Sequence, residues 1–359
     1  MNYGLLVTSP IGPYKNIGDY MQSLAALQFT PSPYCYVEKE KISEFNSKEK
    51  TKVIMNAWYI WHPENWPPKE NCIDPLLTSM HITPLRAEEM LHNGGKEYLI
   101  NHGPVGCRDT KTVEILRDNG VPAFFSGCLT LTLGRNYKYN GVKKGVIFVD
   151  PYIAPLRYSD ENGTIYYPGN IFRAIFYWIL NPIKISKLAQ KSYFKGRLFF
   201  QAFYNASMFY HAYSKMFDDE TLLNAEYITH MLPVAKDLSQ DDLLAIAEKL
   251  LKKYAKSNYV VTSRIHCALP CIGVETPVIF VLSEMMNSER NLFGSPSRFG
   301  GLIDFFRVAN YSKGRVETDD NELSQFGKLN ITSKFSNKEN WVDFKNKMVN
   351  QCLSFMKKE

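Results

Sequence analysis

Residues 1–140 alternate short apolar runs with stretches of helical spacing. Tyr3–Thr8 reads as a strand; a loop through Pro10, Gly12, Pro13 and Gly18 leads into a helical pattern over Tyr20–Phe29. Lys52–Asn56 reads as the next strand and ends in an aromatic loop, AWYIWHPENWPP. Glu97–Ile100 reads as another, followed by NHGPVGCRD. Thr110–Asp118 has helical spacing and stops at Asn119-Gly120, a favourable C-terminal pair. Val121–Phe125 is a further strand, followed by SGCLTLTLG. Strand–helix–strand alternation of this kind builds parallel sheets.

Asn140-Gly141 and Lys143-Lys144-Gly145 read as a linker, and Gly145–Val149 opens a second alternating region. Its later part runs Ala225–His230 strand, Asp241–Ala255 helix, Tyr259–Thr262 strand, Arg264–Gly273 helix, Pro277–Val281 strand. Ser239 with Asp242 three residues on is close to a capping box for the long helix. At the end, Trp341, Phe344, Met348, Cys352 and Phe355 recur at helical spacing, an amphipathic terminal helix. The expected architecture is α/β, with domains over 1–142 and 143–335 and a terminal helix over 336–359.

Asn170–Phe217 breaks the alternation. It is loaded with Phe, Tyr and Trp, carries Arg173, Lys184, Lys187, Lys191, Lys195, Arg197 and Lys215, and has no Asp or Glu. One reading is a helical insertion with a local aromatic core and lysines on its wet face. The other is a basic, aromatic surface for an anionic lipid headgroup or a lipid-linked diphosphate.

Composition narrows the classes. A length of 359 residues suits two domains of ordinary size, and a net charge of +6 is too mild to argue for nucleic acid. Seven cysteines, an odd number without CxxC spacing, argue against a disulfide framework and for a reducing cytoplasm. The apolar run of MNYGLLVTSPIG is too short for a signal-peptide core and lacks a basic lead-in, so it reads as the first strand. No stretch reaches the ~18–20 apolar residues that cross a bilayer.

Ligands of open parallel sheets bind beyond the carboxyl ends of the strands, so polar residues just after strands carry the candidate chemistry. In KNIGDYMQSLAAL, Asp19 with Gln22 reads as a capping box, while Asn16 and Gly18 stand ahead of a helix N-terminus whose free N–H groups attract anions. In NHGPVGCRDTKT, Gly103 and Gly106 allow close approach of a ligand, and Arg108 offers two parallel donors to a carboxylate or phosphate unless it pairs with Asp109 or Asp118. In SGCLTLTLG, Gly127, Cys128 and Thr130 could line a sugar or phosphate site, although nothing near Cys128 would activate its thiol. In SRIHC, Ser263, Arg264 and His266 open a helix directly after a strand: a fixed cation and a group that exchanges protons near neutral pH. Cys267 and Cys271 beside His266 invite a zinc reading, but no fourth ligand is near and LPCIG reads as helix core. Arg290 and Arg298 lie in a Gly/Ser/Pro-rich loop with the look of a mobile cleft edge. Asp150, closing GVIFVD, reads as a turn residue or a hydroxyl acceptor.

NIGDYMQSLAA, then GPVGCRD with VPAFFSGCLTLTL, then VVTSRIHCALPCIGVETPVIFV resemble, in order and spacing, the polysaccharide pyruvyl transferase family. The blocks span most of the chain; the aromatic basic region and the terminal helix are not covered. The resemblance implies two Rossmann-like domains facing across a cleft, as in GT-B glycosyltransferases. It also implies transfer of pyruvate from phosphoenolpyruvate to a sugar as a ketal, in polysaccharide (capsule or exopolysaccharide) biosynthesis. The family's late histidine and arginine fall on His266 and Arg264, the arginine after its GP turn on Arg108, and its early Asn-x-Gly-Asp on Asn16, Gly18 and Asp19. Where many members carry Gly-Asp-Pro after a strand, this chain reads Ser126-Gly127-Cys128-Leu129-Thr130, so a carboxylate role there does not carry over. The implied catalytic set is His266, Arg264 and Arg108. Arg290 or Arg298 would help to hold the donor, with no metal or further cofactor. The acceptor is a sugar or a lipid-linked oligosaccharide, with room for peripheral contact at the inner face of the membrane. A GT-B glycosyltransferase using a nucleotide-sugar and a catalytically silent sugar-binding protein of the same pathway remain open.

Overall fold

Runs of β-branched residues form the centres of two parallel sheets. The structure, a computed structural model, describes residues 2–8, 14–59, 61–160, 163–196, 200–233, 238–283 and 299–357. The first sheet has the order Cys35–Glu38, Asn2–Val7, Thr51–Ile54, Ile73–Leu76, every pair parallel. Val105–Cys107 and Ala123–Phe125 form a second parallel pair, bridged back through Met80 and Cys107. The larger sheet has the order Glu226–Ile228, Val146–Val149, Tyr259–Thr262, Val278–Ser283, Arg307–Ser312, Arg315–Glu317, and only its last pair is antiparallel. Tyr259–Thr262 is buried along its whole length, as expected for a strand covered on both faces.

The helices that position the site are, in chain order, α1 (Ile17–Leu27), α2 (Gly95–His102), α3 (Thr110–Asp118), α4 (Pro168–Leu180), α5 (Pro182–Gln190), α6 (Gln201–Tyr213), α7 (Gln240–Lys256), α8 (Ile265–Gly273) and α9 (Val342–Lys357). α7 shows why such segments are helical. Ser239 and Asp242 close a reciprocal capping box, two aspartates sit in the first turn, and Lys253 and Lys256 sit in the last, each matching the helix dipole. α1 packs between the sheets, against α7 and α8. Its Tyr20, Met21 and Leu24 share one core with Leu5 and Val7 of the first sheet and Ile147, Val149, Val260 and Phe280 of the second. The other face of the second sheet, Phe148, Tyr259, Val261, Ile279 and Val281, is covered by α6. α9 buries Met348, Cys352 and Met356, and its Phe344 rests on Phe125 and Phe305 at 5.2 and 5.4 Å between centroids.

Three expectations change. Glu97–Ile100 is helical, inside α2. Four apolar-looking residues do not separate a strand from a buried helix turn by period alone; Tyr98 and Leu99 turn inward, and the Tyr98 ring meets Trp66 at 5.5 Å. The cap of α1 is Asn16, whose side chain accepts from Gly18 N, so Asp19 belongs to the first turn instead of capping it. Val121 closes α3 through its N–H to Leu116 O, and the strand starts at Ala123. Over Asn170–Phe217, α6 supplies the aromatic core of the first reading, whereas α4 turns large apolar side chains outward. No helix among the described residues is long and apolar enough to cross a membrane.

Candidate active site

Three helix N-termini meet around Arg108 and His266. α1 brings Asp19 and Gln22, α3 is preceded by Arg108, and α8 brings His266 in its first turn. The approach depends on Gly18. An ideal Cβ there would lie 2.8 Å from His266 Cβ and 3.4 Å from His230 Nδ1, so a larger residue would push α1 off the histidine.

Arg108 is 0 % exposed. Its Nη1 contacts His266 Nε2 at 2.8 Å and reaches Gln22 Oε1 at 3.5 Å, while its Nε and Nη2 have no partner among the described residues. These two nitrogens form one edge of the guanidinium, the edge that grips a carboxylate or phosphate with parallel hydrogen bonds. A buried donor without an acceptor costs about 1–3 kcal/mol, and an edge of this kind can hold an anion. A guanidinium only donates, so His266 Nε2 is the acceptor in this contact and the neutral ring carries its proton on Nδ1. Nδ1 faces Asp19 Oδ1 at 3.8 Å, and Gln22 Nε2 donates to the same oxygen at 3.5 Å.

Arg108 is held from behind. Asp109 caps α3 by accepting from Thr112 N at 2.9 Å and meets His81 Nδ1 at 2.5 Å. Burial alone would raise the Asp109 carboxyl; His81, Arg108 and the Thr112 N–H together outweigh it and hold the group below the usual carboxylate range. Asp109 is thus a buried carboxylate facing the main chain and His81, and it leaves the outer edge of Arg108 open.

Arg264 joins a neighbouring cluster. It is the N-cap residue of α8, its Nε donates to Asp150 Oδ2 at 3.0 Å, and its side chain is 42 % exposed. Asp150 has φ +40, a left-handed conformation that a non-glycine residue rarely adopts, and the same oxygen accepts from His230 N at 3.0 Å. His230 is fully buried; its Nε2 meets Tyr254 OH at 2.8 Å and its Nδ1 has no partner among the described residues. Burial pushes the Tyr254 phenol well up, which keeps it protonated.

The remaining candidates scatter. Asn16 is spent on capping α1. Gly103 closes α2, at the opposite end of the Val105–Cys107 strand from Arg108. Gly127, at φ +73, turns the chain beneath Phe305 and Phe344. Cys128 and Thr130 are buried and bonded to each other, with Thr130 O against Gly273 of α8. Ser263 Oγ accepts from Tyr152 N at 3.0 Å. Arg290 and Arg298 lie outside the described residues. Cys267 and Cys271 are buried in α8, and among the described residues no group of three His, Cys, Asp or Glu could hold a metal. Two residues of the cluster were not singled out for it by sequence: Gln22 read as a capping partner, and His230 passed as the last residue of a strand, although its strand-end position was the signal already used for Arg264.

The family model described as polysaccharide pyruvyl transferase matches residues 88–284, more than half of the chain. The match takes in Arg108, Arg264 and His266 and runs through the aromatic basic stretch; the early NIGDYMQSLAA block and the terminal helix lie outside it. No curated protein and no solved structure matches the chain.

Proposed function

Because the chain belongs to the polysaccharide pyruvyl transferase family, a family of transferases, we propose that it moves pyruvate from phosphoenolpyruvate to two hydroxyls of a sugar at the Arg108–His266 junction. The observation that carries this reading is the open Nε/Nη2 edge of a fully buried arginine in hydrogen-bond contact with a histidine. Phosphoenolpyruvate presents a carboxylate and a phosphate on three carbons, and one of these anions fits that edge. Arg264, half in solvent beside Asp150, is placed to meet the other anion or the acceptor.

The methylene carbon of the donor takes a proton, which leaves an electron-poor carbon beside the carboxylate. One sugar hydroxyl attacks that carbon and the C–O bond to phosphate breaks. The second hydroxyl then closes the ketal. Of the two hydroxyl protons, one ends on the former methylene carbon and the other on the departing phosphate. His266, neutral with Nε2 accepting from Arg108, takes a proton from an attacking hydroxyl as Arg108 turns to the donor and passes one to the methylene carbon. Arg108 holds the donor's charge as it redistributes, in a site shielded from water. Asp19, 3.8 Å beyond Nδ1, orients the ring.

The two parallel sheets would be the Rossmann-like halves of a GT-B-like arrangement, 1–142 and 143–335, with Asp19, Gln22 and Arg108 on one side of the cleft and His266 on the other. The acceptor is a sugar of a polysaccharide or of a lipid-linked oligosaccharide, met in the cytoplasm or at the inner face of the membrane. His266→Ala should lower ketal formation by on the order of 10³-fold while the thermal shift produced by phosphoenolpyruvate persists. Near-normal turnover in that variant would remove His266 from the chemistry. A thermal shift with nucleotide-sugars and none with phosphoenolpyruvate would replace pyruvyl transfer with glycosyl transfer.

A further inference from the structure

Helices at a protein surface turn their apolar side inward. α4 does the reverse. Ala174 is its only buried residue, whereas Ile171, Phe172, Ile175, Phe176, Ile179 and Leu180 recur along one side and face solvent. Phe172 and Ile179 are 73 and 69 % exposed, and Ile183, at the start of α5, is 72 % exposed. Scattered exposed apolar residues need no explanation; a continuous stripe along a whole helix does. At its edge, an open pocket of about 350 Å³ between α4 and α6 is lined by Ile171 and Ile175 of the stripe with Trp178, Phe203 and Tyr204, wide enough to admit part of a hydrocarbon chain.

Charge decides what covers the stripe. Residues 170–217 carry seven Lys and Arg and no Asp or Glu. A second copy docked two-fold on this face would set the basic segment against itself. An anionic bilayer would meet it with opposite charge. Lys184 and Lys191 are committed to Asp219 and to Ala225 O, but Lys187 and Lys195 are exposed. Phe, Ile and Trp on one side of a short helix, with exposed lysines on the segment that follows it, is close to the composition of helices that lie in the headgroup layer. The foot of α4 is tied to the segment that leaves the second sheet at Asp150 by Asn170 Nδ2, which donates to Pro155 O at 3.1 Å, and α6 is tied to the same segment by Tyr204 OH, which donates to Ala154 O at 3.0 Å.

We propose that the outer face of α4 with the first turn of α5 docks into the surface of a membrane containing anionic lipid, with Lys187 and Lys195 meeting the acidic headgroups. The docking needs neither donor nor acceptor, so it stands or falls apart from the transfer chemistry. The test is flotation of the full chain with vesicles of phosphatidylcholine alone and of phosphatidylcholine mixed with phosphatidylglycerol. The chain should float with the mixed vesicles and be released by salt. The double variant F172D/I179D should lower the bound fraction at least about tenfold, and K187E/K195E should abolish the preference for anionic vesicles. Quenching of tryptophan fluorescence by brominated lipid should be lost in Trp178→Phe, a variant that keeps the stripe apolar and so reports contact if the charged variants misfold. The proposal is overturned if the unaltered chain stays in solution with both vesicles. It is equally overturned if sedimentation shows a dimer that F172D/I179D dissolves, since the stripe would then be a protein interface.

Discussion

Arg108 and the outer face of α4 depart from ordinary burial in opposite directions. One is a cation with no exposed surface and two donors that have no partner among the described residues; the other is a row of phenylalanines and isoleucines standing in water. Buried polar groups are normally paired and large apolar patches normally covered, so both regions are incomplete as they stand. They differ in what would complete them. The Arg108 edge has direction and fixed spacing and would select a small anion with two oxygens in one plane. The α4 stripe has extent without direction and selects a surface.

The largest effect that would break this contrast comes from Gly18. Gly18→Ala adds a methyl 2.8 Å from His266 Cβ, and a displacement of the ring by about an ångström should cost on the order of 10²-fold in turnover. Unchanged activity would mean that α1 and α8 are not held against each other in the working enzyme. Arg264→Ala tests the more exposed arginine. Because that side chain is 42 % exposed and already engaged by Asp150, its loss should cost less than about tenfold in kcat/KM. A loss as deep as that of His266→Ala would move the donor site toward Asp150.

A smaller effect sharpens the α4 side. His211 is buried beneath it, with its ring 4.2 Å from Tyr177. Burial first, then Arg315 and Arg173, push its pKa down to about 4. An unfolded histidine titrates at about 6.5. Below that pH the unfolded chain takes up a proton that the folded chain refuses, so stability should fall as pH drops from about 6.5 to about 4 and level off below. His211→Gln should flatten the decline over that window in pH-dependent melting. An unchanged slope would show that His211 is hydrated in the folded state.

Legibility in sequence followed how local the determining contacts are. α3 was readable to the residue because the Asp109 cap and the Asn119-Gly120 stop lie within the helix's own sequence. α7 was readable through Ser239 and Asp242. His266 was singled out by its position after Tyr259–Thr262; Arg108 was singled out in the loop after Glu97–Ile100, which is helical, and the short strand it does follow, Val105–Cys107, was not read from sequence. Their contact was not read either, because it joins residues 158 apart through the packing of α1 between the sheets. Arg264 and His266 are two residues apart, yet the strand-to-helix turn sends the first to Asp150 and the second to Arg108. For α4, apolar period alone predicts a helix with a buried stripe. The composition of that stripe, with no acidic residue across 170–217, was the signal that its environment is not the protein core.

The central claim is that the open edge of Arg108 holds the donor's charge. It is tested by the melting temperature of the unaltered chain and of Arg108→Met, each with and without phosphoenolpyruvate. Arg108→Met removes two donors that have no partner among the described residues, but also the contacts to His266 and Gln22 and a charge that holds Asp109 down, so each chain is compared with its own ligand-free melting temperature. The parent should melt higher with phosphoenolpyruvate and Arg108→Met should not shift at all. A variant that still shifts as far as the parent would contradict the account.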